Sequence, residues 1–433
     1  MKKFTSNNLA INGAPPFRTQ NWQDNFTTGS EEIEAITKII QSGYLSLFEG
    51  SHTPDQPFSF HGGPAVQKLE QYWSEYYSVN HSISMNSATS GLYAAIGALN
   101  LGYGDEVIVS PYTMSACAVA PLIYGAIPVF ADVDMSGSLD PNSIRTKISK
   151  RTKAILLVHQ FGIPARMDEI MQIKEEFNLQ LIEDCAQAHG ASFNGRNVGT
   201  FGEIGVFSLN VNKTIQSGEG GICVTNDDEI AYRLKLIRNH GEAVVEAAGY
   251  SNIENAFGFN YRMTEVTAAI AFEQLKKLDN LNKARLEMVY KLKEYINGTK
   301  SLKFIDCCDN CSDHHRSSSY PTYYLSPFLV DNKSFNRNEF VDAINAEGLL
   351  FAKGYARPLY LQPLYQQKKF FKNGYPFSAK ENLQSNQNYS KGLCPNAEDL
   401  HFNRLVTSEH IRPPHSMDDV EDIINIFEKV LNS

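Results

Sequence analysis

LIEDCAQAHGASFNGRNVGTFGEIGVFSLNVNKTIQSGEGG, residues 181–221, opens as an apolar strand that ends in an acid, Asp184. Gln187 follows one helical turn on, and Ser208 and Lys213 stand five positions apart further along. The strand signal repeats outward from this stretch: EVIV (106–109), IPVFADV (127–133), AILLVH (154–159), LQLIED (179–184) and GICVT (221–225). Between these runs lie MSACAVAPLIYG (114–125), MDEIMQIKEEF (167–177) and DEIAYRLKLIRNH (228–240), with apolar residues at helical spacing. Continuous Val/Ile/Leu strands alternating with helices predict an α/β protein, a mostly parallel sheet flanked by helices on both faces.

Upstream, EEIEAITKIIQSG (31–43) sets Ile33, Ile36, Ile39 and Ile40 on one helical face and ends at Gly43. The Gly-, Pro- and aromatic-rich run 44–64 reads as a long loop, the kind that is often functional. Downstream, the helical pattern 263–296 leads out of the large domain. The rhythm then changes to a β-rich 322–330, a helix near 335–348 and a terminal helix at 417–432. The expected division is a large domain over 1–290, N-terminal segment included, and a smaller C-terminal α/β domain over 291–433.

The 433 residues carry a net charge of -9 and 20% charged residues, with no Lys/Arg run, so nucleic-acid and anionic-membrane partners are not expected. No apolar run approaches the length of a membrane span and the N-terminus has no signal-type apolar region, so a soluble cytoplasmic protein is expected. Seven scattered cysteines suit reduced thiols better than a disulfide scaffold. Cys307, Cys308 and Cys311 with His314 and His315 have a metal-like spacing. They lack a second ligand pair and read as a polar loop, so no metal is expected.

A cofactor needs an anchor before its chemistry matters. Asn86-Ser87-Ala88-Thr89-Ser90, between an apolar strand and the helical LYAAIGAL, would aim free backbone amides and a positive helix end at a phosphate, or would simply cap the helix. Asp184 falls beyond the carboxyl end of its strand, where open α/β sheets bind ligands, and could pair with a protonated pyridine nitrogen or cap the next helix. Lys213 lies in the otherwise uncharged VFSLNVNKTIQSG. A lysine in a dry pocket loses proton affinity and becomes a nucleophile. Ser208 could reach the same phosphate, with GEGG (218–221) as a flexible turn beside it.

These blocks, together with GDEVIVSPYTMSA (104–116), VHQFGIPARMDEI (158–170), RNHGE (238–242) and FNYRMTEVTAAI (259–270), resemble the DegT/DnrJ/EryC1/StrS family over nearly the whole chain. These are pyridoxal 5'-phosphate-dependent sugar aminotransferases of the fold-type I aspartate aminotransferase class. The resemblance implies Lys213 as the Schiff-base lysine and catalytic residue, and Asp184 as partner of the pyridine nitrogen. It implies Gln187 near the ring hydroxyl, and Thr89, Ser90 and Ser208 at the phosphate. Asn260, with Tyr261 and Arg262, matches a segment that reaches the neighbouring subunit's site, which implies a homodimer with shared sites. His159, His240 and Arg262 are candidates for substrate contact. The ring-stacking position, often aromatic in the family, is Met114 here, whose thioether can still pack on a ring. The implied reaction moves an amino group from glutamate or glutamine to a ketosugar, with a nucleotide-linked sugar as the expected acceptor. A cyclitol acceptor is the alternative; a sugar dehydratase fits less well because Lys213 is intact. Residues 354–369, GYARPLYLQPLYQQKK, would pack the small domain or line a sugar site.

Overall fold

The computed structural model describes residues 2–51, 58–306, 317–385 and 387–433. The Cys307–His315 run lies outside the described residues. The strands are β1 (His81–Met85), β2 (Glu106–Val109), β3 (Ile127–Phe130), β4 (Thr152–Val158), β5 (Gln180–Asp184), a short hairpin of β6 (Ser192–Phe193) and β7 (Arg196–Asn197), β8 (Ile204–Ser208) and β9 (Gly221–Thr225). Seven of them form one sheet in the order β1-β9-β8-β5-β4-β2-β3, in which β9 alone runs antiparallel.

Side-chain alternation shows why this sheet is covered on both faces. In β4, Ile155 and Leu157 pack with Ile170 and Ile173 of the helix Met167–Phe177, whereas Ala154, Leu156 and Val158 face a second core that holds Leu92 and Ala95. Both sets are apolar because neither face meets water. A third cluster, around the fully buried Trp73 with Tyr77 and Phe207, seats the helix Pro64–Tyr77 against the β8–β9 end.

The 34-residue helix Glu265–Gly298 leads to a four-stranded antiparallel sheet, which follows the chain through β10 (Leu302–Phe304), β12 (Ser326–Val330), β13 (Ala352–Lys353) and β14 (Leu405–Ser408) in the order β10-β12-β14-β13. The intervening β11 (Ser319–Tyr320) joins the β6–β7 hairpin instead. The helices Arg337–Ala346 and Met417–Asn432 cover this second sheet.

Two segments cross between the units. The N-terminal segment, grouped with the large domain on sequence, packs on the second sheet. Lys2 bridges to Phe335, Phe4 meets the Phe335 ring at 5.5 Å, and Arg18 pairs with Asp419 and Asp422 at 2.7 Å each. Much of 354–400 turns back onto the first sheet: the Leu359 amide donates to Pro111 O (2.8 Å), Tyr389 Oη donates to Pro128 O (2.8 Å), and the Tyr365 ring meets Phe130 at 5.2 Å. The helix Ser30–Ser42 ends at Gly43, as its spacing predicts. It buries Glu32, whose carboxylate meets Lys277 and Gln274 (2.8 Å each), and leaves Ile33 and Ile40 exposed. Among the described residues no helix is long and apolar enough to cross a membrane.

Candidate active site

The carboxyl ends of β1, β5 and β8 open on one edge of the first sheet, and the chain bends there into the site. After β1, Ser87 caps the helix Ala88–Ala98: its Oγ accepts from the Ser90 amide (3.0 Å). The Ala88 and Thr89 amides belong to the first turn and have no acceptor within the helix. Close approach of β9 requires Gly221, because a Cβ there would stand 2.5 Å from Ala88 N. Gly91 similarly lets the helix lie on Val206 and Cys223, with 2.9 Å to each from a built Cβ.

Thr89, Met114, Asp184, Gln187, Ser208 and Lys213 all line one cleft of about 630 Å³ between the two sheets. Asp184 is buried at the end of β5; its Oδ1 accepts from the Ala186 amide (2.9 Å) and its Oδ2 from the Cys117 thiol (3.0 Å). Burial, then the Asp184 charge, pushes the Cys117 thiol well above its ordinary range, so it stays a protonated, weak donor. Gln187 is oriented from both ends: its Oε1 accepts from the Phe161 amide (2.8 Å) and its Nε2 donates to Tyr355 Oη (3.1 Å).

Lys213 sits in the turn after β8, its Nζ 4.4 Å from the centre of the Tyr324 ring. Burial lowers its proton affinity, against the opposing pull of Asp184 and Glu409. His189, beneath the turn, is driven down to about 3 by burial and by the charge of Lys213, and is a neutral ring.

Four expected residues lie off the cleft of this chain, and a fifth turns away from it. His159 is buried, with Nε2 on Glu183 Oε2 (3.0 Å) and Nδ1 accepting from the Ala165 amide (3.1 Å). Both ring nitrogens are thus taken, which corrects the expectation of substrate contact. Glu183 also accepts from the Gly199, Phe201 and Gly202 amides (2.8, 2.7 and 2.7 Å), so the pair braces the turn behind Asp184. Ser90 likewise does not line the cleft. Its Oγ donates to Asn86 Oδ1 (2.6 Å) and lies 2.9 Å from Ser87 Oγ, so Ser87 takes the cleft-facing place. Asn260, Arg262 and His240 sit together outside: Arg262 Nε donates to Asn260 Oδ1 (2.8 Å), and His240, at φ 51, stands 3.9 Å from Glu242.

The facing wall comes from the second domain, and apart from Tyr355, in the 354–369 run that could line a sugar site, its residues were not expected from sequence. It includes Tyr324, Phe351, Tyr355, Ser408, Glu409 and His410. His410 is pushed down to about 4 by burial and the nearby Arg412, leaving a neutral ring. Of the 354–369 run, Tyr355 reaches the cleft while Tyr360 and Tyr365 pack on Phe130. Cys117, three residues beyond Met114 on one helical path, was readable as a neighbour of the ring position. Glu409 and His410 had no such signal.

The donors suit pyridoxal 5'-phosphate: a helix start with free amides and two hydroxyls for a phosphate, a buried carboxylate for a ring cation, and an amine of lowered proton affinity between them. Fold and site together define a fold-type I transferase of the pyridoxal phosphate-dependent class. The sequence profile of the DegT/DnrJ/EryC1/StrS aminotransferase family matches residues 55–384, and the chain belongs to that family. It is similar to GDP-perosamine synthase of Escherichia coli O157:H7, 33% identical over 71% of this chain and 80% of that protein. It is similar too to L-glutamine:2-deoxy-scyllo-inosose aminotransferase of Streptomyces kanamyceticus, 28% identical over 98% and 97% of the two chains. Among solved structures, an aminotransferase from Psychrobacter cryohalolentis superposes with a TM-score of 0.79 at 26% identity, covering 95% of this chain and 99% of that one.

Proposed function

We propose that the chain transfers an amino group from glutamate or glutamine to a ketosugar, with a nucleotide-linked ketosugar as the acceptor. The observation that carries the reading is the convergence of Lys213, Asp184 and the start of the helix Ala88–Ala98 on one cleft. Thr89, Ser208 and the first helical amides would hold the phosphate of pyridoxal 5'-phosphate, Asp184 its ring nitrogen, Gln187 the hydroxyl side and Met114 one ring face. Bound there, the cofactor supplies an electron sink for carbanion charge. Asp184, buried and acceptor-only, keeps a cationic partner protonated. The Lys213 amine, eased toward its neutral form by burial, takes the proton from the donor Cα and returns one to the acceptor carbon. Asn260, Arg262 and His240, off this cleft, would serve the site of a second copy in a homodimer.

The acceptor class is open between two relatives, one named for a GDP-sugar product and one for an inosose. A reverse-direction screen tests it: aminosugar nucleotides and aminocyclitols are offered with 2-oxoglutarate, and glutamate formation is scored. Turnover of the nucleotide sugars supports the reading; turnover of aminocyclitols alone replaces it with the cyclitol one. Absence of any visible absorption band after incubation with excess cofactor would sink both.

A further inference from the structure

The turn that carries Lys213 is short of internal support. Its main-chain bonds run from Val211 N to Gly218 O and from Lys213 N to Asn210 O, 2.9 Å each, which leaves the Val211 and Lys213 carbonyls pointing out of the turn. One side chain takes both. Asn25 Nδ2, buried, donates to Val211 O (2.9 Å) and to Lys213 O (2.8 Å). Its Oδ1 accepts from Arg412 Nη1 (2.8 Å), and its own main-chain carbonyl accepts from Gln216 Nε2 (3.2 Å). The amide thus spends both donor hydrogens on the Lys213 turn and one acceptor site on a guanidinium.

Arg412 belongs to the second domain, and Asn25 stands where the N-terminal segment passes from the second sheet to the long helix, which Thr27 meets through Gln274 (2.7 and 2.9 Å). Arg412, buried, follows β14 and is itself tied down by Nε donating to Glu409 O (2.6 Å). Asn25 closes a segment that packs on the second sheet through Arg18 and through Trp22, whose ring meets His415 at 5.0 Å. On the far side of the turn, Arg285 Nη1 donates to Thr214 Oγ1 (2.7 Å) from the long helix. The residue after the lysine is anchored within the first domain, and the lysine itself from the second.

We propose that Asn25, held by Arg412, is a positioning link through which the second domain sets where the Lys213 amine stands in the cleft. Both are positioning residues, since neither lines the cleft. The charges that act on the amine are Asp184 of β5 and Glu409 after β14, with the Tyr324 ring against it and the buried His189 below; Arg285 and Arg412 hold the turn by hydrogen bonds behind it. A turn released from Asn25 lets the amine swing toward water, away from its working place. The inference rests on the proposed role of Lys213 for its catalytic consequence, but not for its geometry.

The test separates the two. Competitive acylation of the full-length protein with acetic anhydride across pH, read lysine by lysine from peptide masses, reports the Lys213 midpoint without any cofactor. Steady-state aminotransfer by the cofactor-loaded enzyme gives kcat and KM. Asn25→Ala and Arg412→Met are expected to raise the Lys213 midpoint toward the ordinary lysine range, while Lys235 of the helix Asp228–Arg238, which burial also lowers, stays in place. They lower kcat about tenfold with donor KM within about twofold, as displacement of a reacting group does. Arg412→Lys, which keeps one donor for Asn25 Oδ1, falls between. An unchanged Lys213 midpoint in both Asn25→Ala and Arg412→Met overturns the link, as does an Arg412→Lys protein no better than Arg412→Met. Should the parent protein itself show no aminotransfer, the functional reading fails, and the acylation midpoints still decide the link.

Discussion

At the carboxyl edge of the seven-stranded sheet, Asp184, Gln187, Ser208 and Lys213 come from one continuous stretch, and each is placed by a strand end or the turn that follows it. Across the cleft, the four-stranded sheet contributes Tyr324, Tyr355, Ser408, Glu409 and His410 from three separate segments, none in a pattern that spacing reveals. The first surface carries groups that suit one cofactor and one reaction. The second meets whatever else enters, and the Asn25–Arg412 link places a further part of it behind the lysine. Chemistry that depends on a strand end is written locally. Selection that depends on two sheets facing each other is not.

Substitutions on the two surfaces should therefore differ in size and kind. Lys213→Ala removes the amine and should cost kcat about a thousandfold, the scale of a lost general base, as measured by glutamate-dependent turnover. A loss of less than about tenfold would move the proton-transfer role elsewhere. Without cofactor, Lys213→Met should raise the melting temperature near neutral pH, because the folded protein binds that proton less readily than the unfolded chain. The penalty for the buried charge is largest below the folded midpoint and fades as pH climbs toward the unfolded value. The melting difference should narrow in that direction, and one that widened with pH would contradict the burial argument.

Asp184→Asn keeps the shape and removes the charge. A loss of about a hundredfold in kcat is expected, comparable with the removal of one electrostatic group from a dry site, with cofactor affinity falling in parallel by fluorescence titration. Gly221→Ala should act on the same surface through sterics alone. Its Cβ would meet the backbone of Ser87 and Ala88, so cofactor affinity should drop by roughly tenfold and stability by about 1–3 kcal/mol in denaturant titration, the scale of overpacking. Equal cofactor affinity in that variant would detach the helix start from the phosphate role.

On the opposite wall, Glu409→Gln should have the smallest effect on rate, within about threefold, but a readable one on titration. Glu409 helps hold the proton on Lys213, so its loss should lower the Lys213 midpoint and shift the rising limb of the rate profile to lower pH. A shift to higher pH would mean that the carboxylate acts through the substrate instead.

Much of the first surface was legible because its signals are local. The strand bounds of β2 and β9 and the helix Met167–Phe177 coincide with apolar runs bounded by polar residues, and the acid at the end of β5 follows from the strand that it closes. His159 shows the limit of a motif match. It sits one residue past β4, at the same edge as Asp184, and only its two hydrogen bonds reveal that it faces inward to Glu183. Ser90 and Ser87 show the same limit at finer scale: cap geometry, which spacing leaves open, decides which hydroxyl faces the cleft. The helix Ser30–Ser42 ends at Gly43 as read, but spacing left open which face meets a neighbour: the long helix offers Lys277 and Gln274 at the contact, and Glu32 turns inward to meet them.

By itself the sequence determined the α/β architecture and the family, and offered a candidate residue set for a cofactor, because alternation, strand ends and motif order are properties of neighbours along the chain. Only the tertiary structure decided that the N-terminal segment packs with the second domain, that Cys117 rather than a stronger donor faces Asp184, and that Asn25 and Arg412 hold the Lys213 turn. Cys117 and Asp184 stand 67 positions apart, and Asn25 and Arg412 387; at such separations no periodicity connects the partners, and only packing brings donor to acceptor.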